Sequence, residues 1–310
     1  MIRAAVGHDG RELRVDLTIV PGKANKARLN RNPVSRARDV YGVLKAVVFA
    51  PEDLALVRGE PEQRRRMLDE LLVARHPRFA GVRADYDRVV KQRNTLLRTA
   101  YLARKTGGRG NTDLHTLDVW DRHLAEYGGD LLAGRLALLE GFAPYVAQAY
   151  EAVSGGRGKP RLAYRAGWAD EEPLTADRDL LTARLQAALA AARKRETERG
   201  TTLVGPHRDD LLLSLGDLPA KGYASHGECW SYALALRLGA AELLRVESVA
   251  PVLILDDVFA ELDAHRRDQL ASMVADAPQV LVTCAVGDDV PAGLAGARYD
   301  IGEGEVRRVV

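Results

Sequence analysis

Cysteine and long apolar runs are scarce in this sequence. Only two of its 310 residues are cysteine, Cys229 and Cys284, so no disulfide framework supports the fold, and this usage is typical of a reducing compartment. No uncharged apolar run is long enough to cross a bilayer, and the opening MIRAAVGHDG lacks the apolar core of a signal peptide. The sequence therefore predicts a cytoplasmic protein without a membrane segment.

An excess of charge of one sign is also absent. The chain has 45 Lys and Arg against 43 Asp and Glu, a net charge of +2. This balance excludes a polyanionic or polycationic tail, although it is compatible with a local basic face. The 46% content of hydrophobic residues is ample for the core of one large domain or two modest ones.

The N-terminal stretch has the pattern of β-structure. Leu13, Val15, Leu17 and Ile19 alternate with polar residues, which predicts a half-buried strand. PGKANK then predicts a turn, ARLN a return strand, and AVVFA (46–50) a buried strand.

Long helices are predicted from Pro61 to about residue 153, with a break near His76–Pro77. The glycine-rich loop KTGGRGNTD (105–113) joins two antiparallel helical segments, and its Asn111 or Thr112 is suited to cap the second. The pair Gly128–Gly129 predicts a kink or break in that second segment.

The last third of the chain mixes strands and helices. Helices are predicted over 175–199 and 227–247, with strands in TTLVG, DLLLSLG and PAKGYAS. PVLILDD and QVLVTCAV are apolar on both faces, which is typical of parallel strands covered by helices. The predicted fold class is therefore α/β at both ends, with a helical insertion between them.

Two adjacent carboxylates end one of these apolar strands. Asp256 and Asp257 follow LIL at the point where α/β sheets bind ligands, as in a Walker B element. There Asp256 is suited to hold Mg²⁺, directly or through water, and Asp257 to orient or deprotonate an attacking water. The alternative is that both carboxylates cap the following helix and are solvated.

A second feature precedes this strand. In ASHGECW, Ser225 and Gly227 form a Ser-x-Gly turn at the start of a long helix, where backbone N–H groups favour an anion such as a γ-phosphate. Downstream, AELD (260–263) lies where ABC-type ATPases have a D-loop. The order of turn, helix, acidic strand and AELD is more specific for an ATPase of this type than any one of these features alone.

Several longer stretches resemble the RecF family of SMC-related ABC-type ATPases. They are VVFAPEDLALVRGEPEQRRRMLDELL (47–72), WDRHLAEYG (120–128), TLVGPHRDDL (202–211), the SHGE turn and LILDDVFAELD (253–263). The resemblance covers nearly the whole chain, and the SHGE form followed by Trp230 is similar to the actinobacterial branch.

The resemblance implies a fold, a site and partners. The fold is an ABC-type ATPase head with an inserted helical arm, and the cofactors are ATP and Mg²⁺. The implied site residues are the catalytic Asp257, the Mg²⁺ ligand Asp256, and the nucleotide contacts Ser225, Gly227, Glu228, Asp256 and Asp263. The implied role is recognition of gapped or single-stranded DNA, with ATP-dependent homodimerisation, and help to RecR and RecO in placing RecA on single strands.

The phosphate-binding loop of that family is missing from these 310 residues. RecF proteins begin with a strand, a loop of the form G-x-x-x-x-G-K-S/T and a helix, and nothing here fits. PGKAN (21–25) lacks the leading glycine and the hydroxyl residue, whereas GGRGKP (155–160) has Pro160 at the Ser/Thr position. We therefore expect an ATPase head that is incomplete at its N-terminus and inactive in ATP hydrolysis on its own.

The resemblance also divides the chain. Residues 1–58 are predicted to be the remainder of the first lobe of the head, and residues 59–174 the helical arm or second lobe. Residues 175–310 are predicted to complete the head with the signature turn, the Walker B strand and the D-loop.

Basic residues on the arm are candidates for contact with a DNA backbone, since phosphate contacts supply most of the non-specific affinity. The alternative is a solvated helix face. The candidates are Arg64, Arg65, Arg66, Arg93, Arg98, Arg104 and Lys105.

The run His207–Asp210 has the composition of a metal site, but a turn held by ion pairs is the favoured interpretation. Two functions of other classes remain open. One is a Mg²⁺-dependent nuclease that uses Asp256, Asp257 and Asp263, against which the signature turn and the lack of a third acidic cluster argue. The other is a degenerate scaffold that binds DNA or a partner without hydrolysis.

Overall fold

The computed structural model describes residues 1–8, 10–105, 115–169, 173–247, 250–294 and 296–309. Its α-helices are α1 Leu54–Arg58, α2 Pro61–Arg75, α3 Phe79–Lys105, α4 His115–Ser154, α5 Arg178–Arg199, α6 Ala220–Tyr223, α7 His226–Glu247 and α8 Ala264–Val274. Its strands are β1 Ile2–His8, β2 Arg11–Thr18, β3 Lys26–Leu29, β4 Asn32–Pro33, β5 Ala46–Phe49, β6 Pro160–Arg165, β7 Asp210–Leu215, β8 Leu218–Pro219, β9 Val252–Asp256, β10 Val280–Thr283, β11 Tyr299–Gly302 and β12 Glu305–Arg308.

The N-terminal strands form an antiparallel sheet in the order β1-β2-β3-β4. Ile2 lies opposite Leu17, and Val15 opposite Leu29, so the apolar residues of the alternating pattern share one face. The predicted strand, turn and return strand are confirmed. Strand β1 was not predicted, because its alternation of small and polar residues is weak.

A three-stranded parallel sheet, in the order β10-β9-β5, carries the acidic strand. The prediction of parallel strands is confirmed, and Phe49 and Leu255 are buried on the face that the helices cover. The prediction that helices cover both faces is wrong for the described residues. Val48 and Leu281, on the opposite face, are 43% and 48% exposed.

The helices pack around α4, which contacts α3, α5 and α7 along its length. The predicted kink is wrong, because α4 runs unbroken through Gly128 and Gly129. A Cβ on Gly129 would lie 2.2 Å from Thr182 Oγ1, and one on Gly134 would lie 2.6 Å from the Phe79 ring. These glycines therefore permit close helix packing rather than a bend.

The segment between α5 and β7 also differs from expectation. TTLVG was predicted to be a strand, but side chains bind its backbone instead: Thr202 N–H donates to Asn94 Oδ1 at 2.7 Å, and Leu203 N–H donates to Glu196 Oε1 at 2.7 Å. Of PAKGYAS (219–225) only Pro219 lies in a strand, at the end of β8, and the prediction is wrong for the rest, where the short helix α6 follows.

Two further predictions concern the ends of the arm. The break near His76–Pro77 is confirmed, since α2 ends at Arg75 and α3 begins at Phe79. Residues 106–114, with the predicted cap at Asn111 or Thr112, lie outside the described residues. Within the described ranges, no helix is long and apolar enough to cross a membrane.

Candidate functional site

The carboxyl ends of β9 and β10 bring Asp256 and Thr283 together. The two residues are paired in the parallel register, and the Thr283 hydroxyl donates a hydrogen bond to Asp256 Oδ1. This bond fixes one carboxylate oxygen and leaves Asp256 exposed at the sheet edge. Asp256 is therefore oriented before any ligand arrives.

Asp257 is held in an unusual conformation beside it. Its φ of 52° lies in the left-handed region, which costs a non-glycine residue about 1–2 kcal/mol. Its N–H donates to the Thr283 carbonyl and hydroxyl oxygens, each at 3.1 Å. Its Oδ1 is buried without a hydrogen-bond partner among the described residues. A strained carboxylate with an unsatisfied oxygen is a feature of functional sites rather than of packing.

The alternative that these carboxylates cap the next helix does not fit the structure. The short 3₁₀ turn after β9 has Val258 at its N-cap, without a side-chain cap. Helix α8 is capped by Asp263, whose Oδ1 accepts from Arg266 N–H at 2.9 Å. Asp256 and Asp257 therefore present oxygen atoms of the kind that Mg²⁺ prefers.

The Ser-x-Gly turn is built as a capping box at the start of α7. Ser225 N–H donates to Glu228 Oε2 at 2.8 Å, and Glu228 N–H donates to Ser225 Oγ at 3.3 Å. Hydrogen bonds to the Glu228 carboxylate from the side chain and then the backbone of Ser225 lower the pKa of this carboxyl. The capping box thus shapes the turn, and the predicted contact of Glu228 with nucleotide stays a prediction.

Arg266 joins this turn to the start of α8. A Cβ on Gly227 would lie 2.9 Å from both Arg266 Nη1 and Nη2, so a larger residue there would displace that guanidinium from its present position. Arg266 Nη1 also donates to Asp263 Oδ2 at 2.7 Å. The backbone N–H of Arg266 is the main cause of the lowered pKa of Asp263. The structure thus places Gly227 beside Asp263.

The turn and the acidic sheet edge are not directly bonded. Across the described ranges, no hydrogen bond or ion pair joins residues 225–228 to Asp256 or Asp257. The turn is tied to the sheet through α7 instead: the Trp230 indole donates to His226 Nε2 at 2.9 Å and packs edge-on against Phe49. The two features are therefore separate parts of the structure that are connected through the packing of α7 against β5.

Sequence reasoning missed two residues of this region. The signal for Arg266 was its spacing of three from Asp263, since residues at i and i+3 are neighbours on a helix. Thr283 gave a weaker signal, because only the register of two parallel strands places it opposite Asp256.

The stretch Gly205–Asp210 is a structural hub. The Pro206 carbonyl accepts from Arg135 Nη1 at 2.8 Å, and Asp210 accepts a bidentate pair from Arg64 at 2.8 and 3.1 Å. Asp209 accepts from the Tyr164 hydroxyl and the Trp168 indole, each at 3.0 Å. The prediction of a turn held by ion pairs is confirmed. No cluster of three metal-ligating side chains occurs in the described parts of the chain.

Burial shifts two pKa values in this hub in opposite directions. Desolvation raises the pKa of Asp209 to about 7, against the favourable effects of Arg135, Tyr164 and Trp168. Desolvation, followed by the nearby charge of Arg208, lowers the pKa of His207 to about 4. The His207 ring is therefore neutral near neutral pH, and its Nδ1 lies 2.6 Å from the Tyr86 hydroxyl.

Two of the predicted DNA contacts must be corrected. Arg93 is fully buried and donates to Asp121, Glu196 and Thr202, and Arg64 is bound to Asp210. Guanidinium groups that are enclosed and paired in this way do not reach a phosphate backbone.

The other five candidates remain predictions. Arg65 is partly buried and donates to the Asp209 carbonyl, and Arg66 is exposed but paired with Glu70. Arg98, Arg104 and Lys105 are exposed on α3.

Comparisons with known proteins show relatives that match along nearly the entire chain. No family model matches. DNA replication and repair protein RecF of Streptomyces avermitilis is 60% identical over 309 residues, which are 100% of this chain and 82% of the relative. The protein of the same name from Frankia alni is 60% identical over 310 residues, covering 99% of this chain and 82% of the relative.

Solved structures show the same fold. A structure described as the recombination mediator protein RecF-ATPrS in the RecFOR pathway has a TM-score of 0.86 at 24% identity, covering 99% of this chain and 80% of that one. The RecF-ATP structure of the same pathway has a TM-score of 0.85 at 24% identity. These structures confirm the predicted α/β fold of the ABC-type ATPase head.

Proposed function

The chain belongs to the RecF family of DNA replication and repair proteins, and we propose that it acts as an ATP-dependent DNA-binding protein of recombinational repair. The observation that carries the nucleotide part is the acidic edge of the parallel sheet. There Thr283 orients Asp256, and Asp257 keeps a buried oxygen without a partner. The solved RecF structures whose names include ATP support the same ligand.

The two carboxylates have different roles in this proposal. Asp256 is exposed, so one oxygen would bind Mg²⁺ or its water while the other stays bonded to Thr283. Mg²⁺ bound there would neutralise charge on the phosphates. Asp257 Oδ1 would accept the proton of the attacking water, because its oxygen is free and its backbone is fixed by two bonds to Thr283.

The signature turn would serve the nucleotide held by a second copy. Its lack of a bond to the acidic edge supports a site divided between two chains, as in ABC-type heads. Ser225 is exposed at the N-terminus of α7, and its hydroxyl and the neighbouring N–H groups are suited to a γ-phosphate. Gly227 and Asp263 would line the same contact through Arg266.

Membership in the RecF family supports the following biological role as part of this proposal. ATP-driven closure of two heads would retain gapped DNA, near a junction of single and double strands. The protein would help RecR and RecO to place RecA on the single strand. We further propose that it works in the cytoplasm.

The experiment compares two proteins. One is the 310-residue chain, and the other, the fused protein, has a strand–P-loop–helix segment of the RecF type placed before Met1. Calorimetric titration with Mg·ATP should show negligible binding to the first, since its sequence contains no P-loop pattern, and clear binding to the second.

A matched variant sharpens this test. In the fused protein, Ser225→Arg should leave ATP binding intact and abolish ATP-dependent dimers in sedimentation, while Ser225→Ala should weaken them by about tenfold or more. Dimerisation of Ser225→Arg at the parent level would remove the turn from the composite site. Fused protein that binds no ATP would favour the non-hydrolysing scaffold instead.

A further inference from the structure

Positive charge is concentrated in the first 40 residues. They contain nine Lys and Arg against four Asp and Glu, a surplus of five, whereas the whole chain has a surplus of only two. The remaining 270 residues are therefore net acidic. The region of the N-terminal antiparallel sheet therefore carries an excess of positive charge in a nearly neutral protein.

The register of the strands places several of these charged side chains on one face of the sheet. Arg3 lies opposite Asp16, and Asp16 opposite Arg28, so these three share a face. Strand alternation adds Arg14 and Lys26 to the same face. The other face carries the apolar residues Val6, Leu13, Val15, Leu17 and Leu29.

Several of these basic groups lack an internal partner. Arg14 is paired with Glu12 at 2.7 Å, and Arg3 lies 3.9 Å from Asp16. Lys26 and Arg28 are exposed, and no ion pair engages either of them within the described residues. They lie two positions apart on β3, which places them about 7 Å apart on the same side of the strand.

The same face is concave beside β3. A groove of about 310 Å³ is lined by the polar residues Asp16, Thr18, Asn25, Lys26, Arg28 and Ser35. Exposed basic residues continue around it, namely Lys23, Arg31 and Arg36 in the adjoining turns, and Arg38 there is partly buried. Charge spread over strands and turns suits an extended polyanion better than a single phosphate group.

We propose that this face, centred on Lys26 and Arg28, binds the phosphate backbone of DNA. The inference rests on the proposed DNA-binding function and moves its main contact from the arm to the N-terminal sheet. Phosphate contacts need cations that are exposed, unpaired and spaced along a surface. Lys26 and Arg28 meet these conditions, whereas Arg64 and Arg93 are buried in ion pairs.

The test uses the 310-residue chain and fluorescently labelled duplex DNA over a range of salt concentrations. The sheet variant Lys26→Gln/Arg28→Gln should bind about tenfold more weakly at low salt, with a salt slope that is shallower by about two. The control Arg98→Gln/Arg104→Gln removes the same charge from the exposed arm candidates on α3, and its loss of affinity should be much smaller than that of the sheet variant. Circular dichroism verifies that both variants are folded.

Each outcome has a distinct meaning. A sheet variant that binds as tightly as the parent overturns the inference, and loss in the control alone returns the contact to the arm. Equal loss in both variants assigns the effect to net charge and also overturns it. A parent chain that does not bind DNA at all contradicts the proposed function itself. Protection of Lys26, but not Lys105, from acetylation by bound DNA would support the sheet face independently.

Discussion

The hub at Gly205–Asp210 and the acidic edge at Asp256–Asp257 both contain adjacent aspartates, but the surroundings of the two pairs differ. In the hub, Asp209 and Asp210 are buried, and each accepts at least two hydrogen bonds from side chains. At the edge, Asp256 is exposed, and Asp257 has a buried oxygen with no partner in the described residues and a left-handed backbone.

This difference separates structure from function. Satisfied buried charges specify how helices and strands fit together, and removing one partner leaves the other uncompensated. An unsatisfied carboxylate costs stability and persists where a ligand completes it. Substitutions in the hub network should therefore change the free energy of unfolding, whereas substitutions at the edge should change nucleotide chemistry.

The largest effect is expected at Arg93. Arg93→Met would leave the buried Glu196 without its cation and Asp121 paired with Arg193 alone, which should lower the free energy of unfolding by about 3–5 kcal/mol. Urea unfolding of the chain measures it. Arg98→Met on the same helix is the control, and its exposed position should limit the change to about 0.5 kcal/mol. Similar losses in both variants would show that the buried network contributes no more to stability than an exposed arginine does.

Opposing pH dependences should appear in the hub. The pKa of Asp209, raised to about 7 by burial, means that the folded chain binds a proton which the unfolded chain releases, so acidification from pH 7 to 4 stabilises the fold. The pKa of His207, lowered to about 4, has the opposite sign, because acidification below pH 6.5 protonates the unfolded chain first. In the parent protein the two contributions largely cancel.

Single substitutions should expose each contribution. On acidification from pH 6.5 to 4.5, the free energy of unfolding of His207→Gln should rise relative to that of the parent, and that of Asp209→Asn should fall. Each change should amount to at most about 1.4 kcal/mol per pH unit. Urea unfolding at several pH values checks both slopes. Parallel curves for the parent and both variants would mean that neither group titrates differently on folding.

A smaller stability effect is expected at Thr283. Thr283→Val keeps the shape but removes the hydroxyl that bonds Asp256 and Asp257, which should cost about 1 kcal/mol in urea unfolding. Thr283→Ser retains the hydroxyl and should stay closer to the parent. In the fused protein, Thr283→Val should also raise the Mg²⁺ concentration needed for ATP binding. An unchanged Mg²⁺ requirement would contradict the positioning role of Thr283.

The smallest change in stability is expected at Asp257. Asn tolerates the left-handed conformation and removes the unsatisfied charge, so Asp257→Asn should be neutral or stabilising by up to about 1 kcal/mol. Thermal unfolding of the 310-residue chain is the measurement. A clear loss of stability would place Asp257 with the structural carboxylates of the hub.

The sequence predicted the acidic strand, the signature turn and the α/β class, because apolar periodicity and short motifs are local signals. Predictions from the sequence were wrong where tertiary contacts determine the local structure. Gly128 and Gly129 looked like helix breakers but serve close packing, and TTLVG looked like a strand but is bound by the Asn94 and Glu196 side chains.

The basic residues illustrate the same limit within the candidate site. Arg93 and Arg98 lie on one helix and are indistinguishable by composition, yet one is buried in an ion-pair network and the other is exposed. Likewise, Arg266 and Thr283 could be identified as part of the candidate site only from the fold, which places them beside Gly227 and Asp256.

The claim that the acidic edge is catalytic while the hub is structural is tested most directly by steady-state ATP turnover of the fused protein carrying Asp257→Asn. We expect turnover to be lost while ATP binding and dimerisation stay at the parent level and thermal stability is not lowered, because the amide keeps the shape and removes the base. Turnover at the parent rate would contradict it.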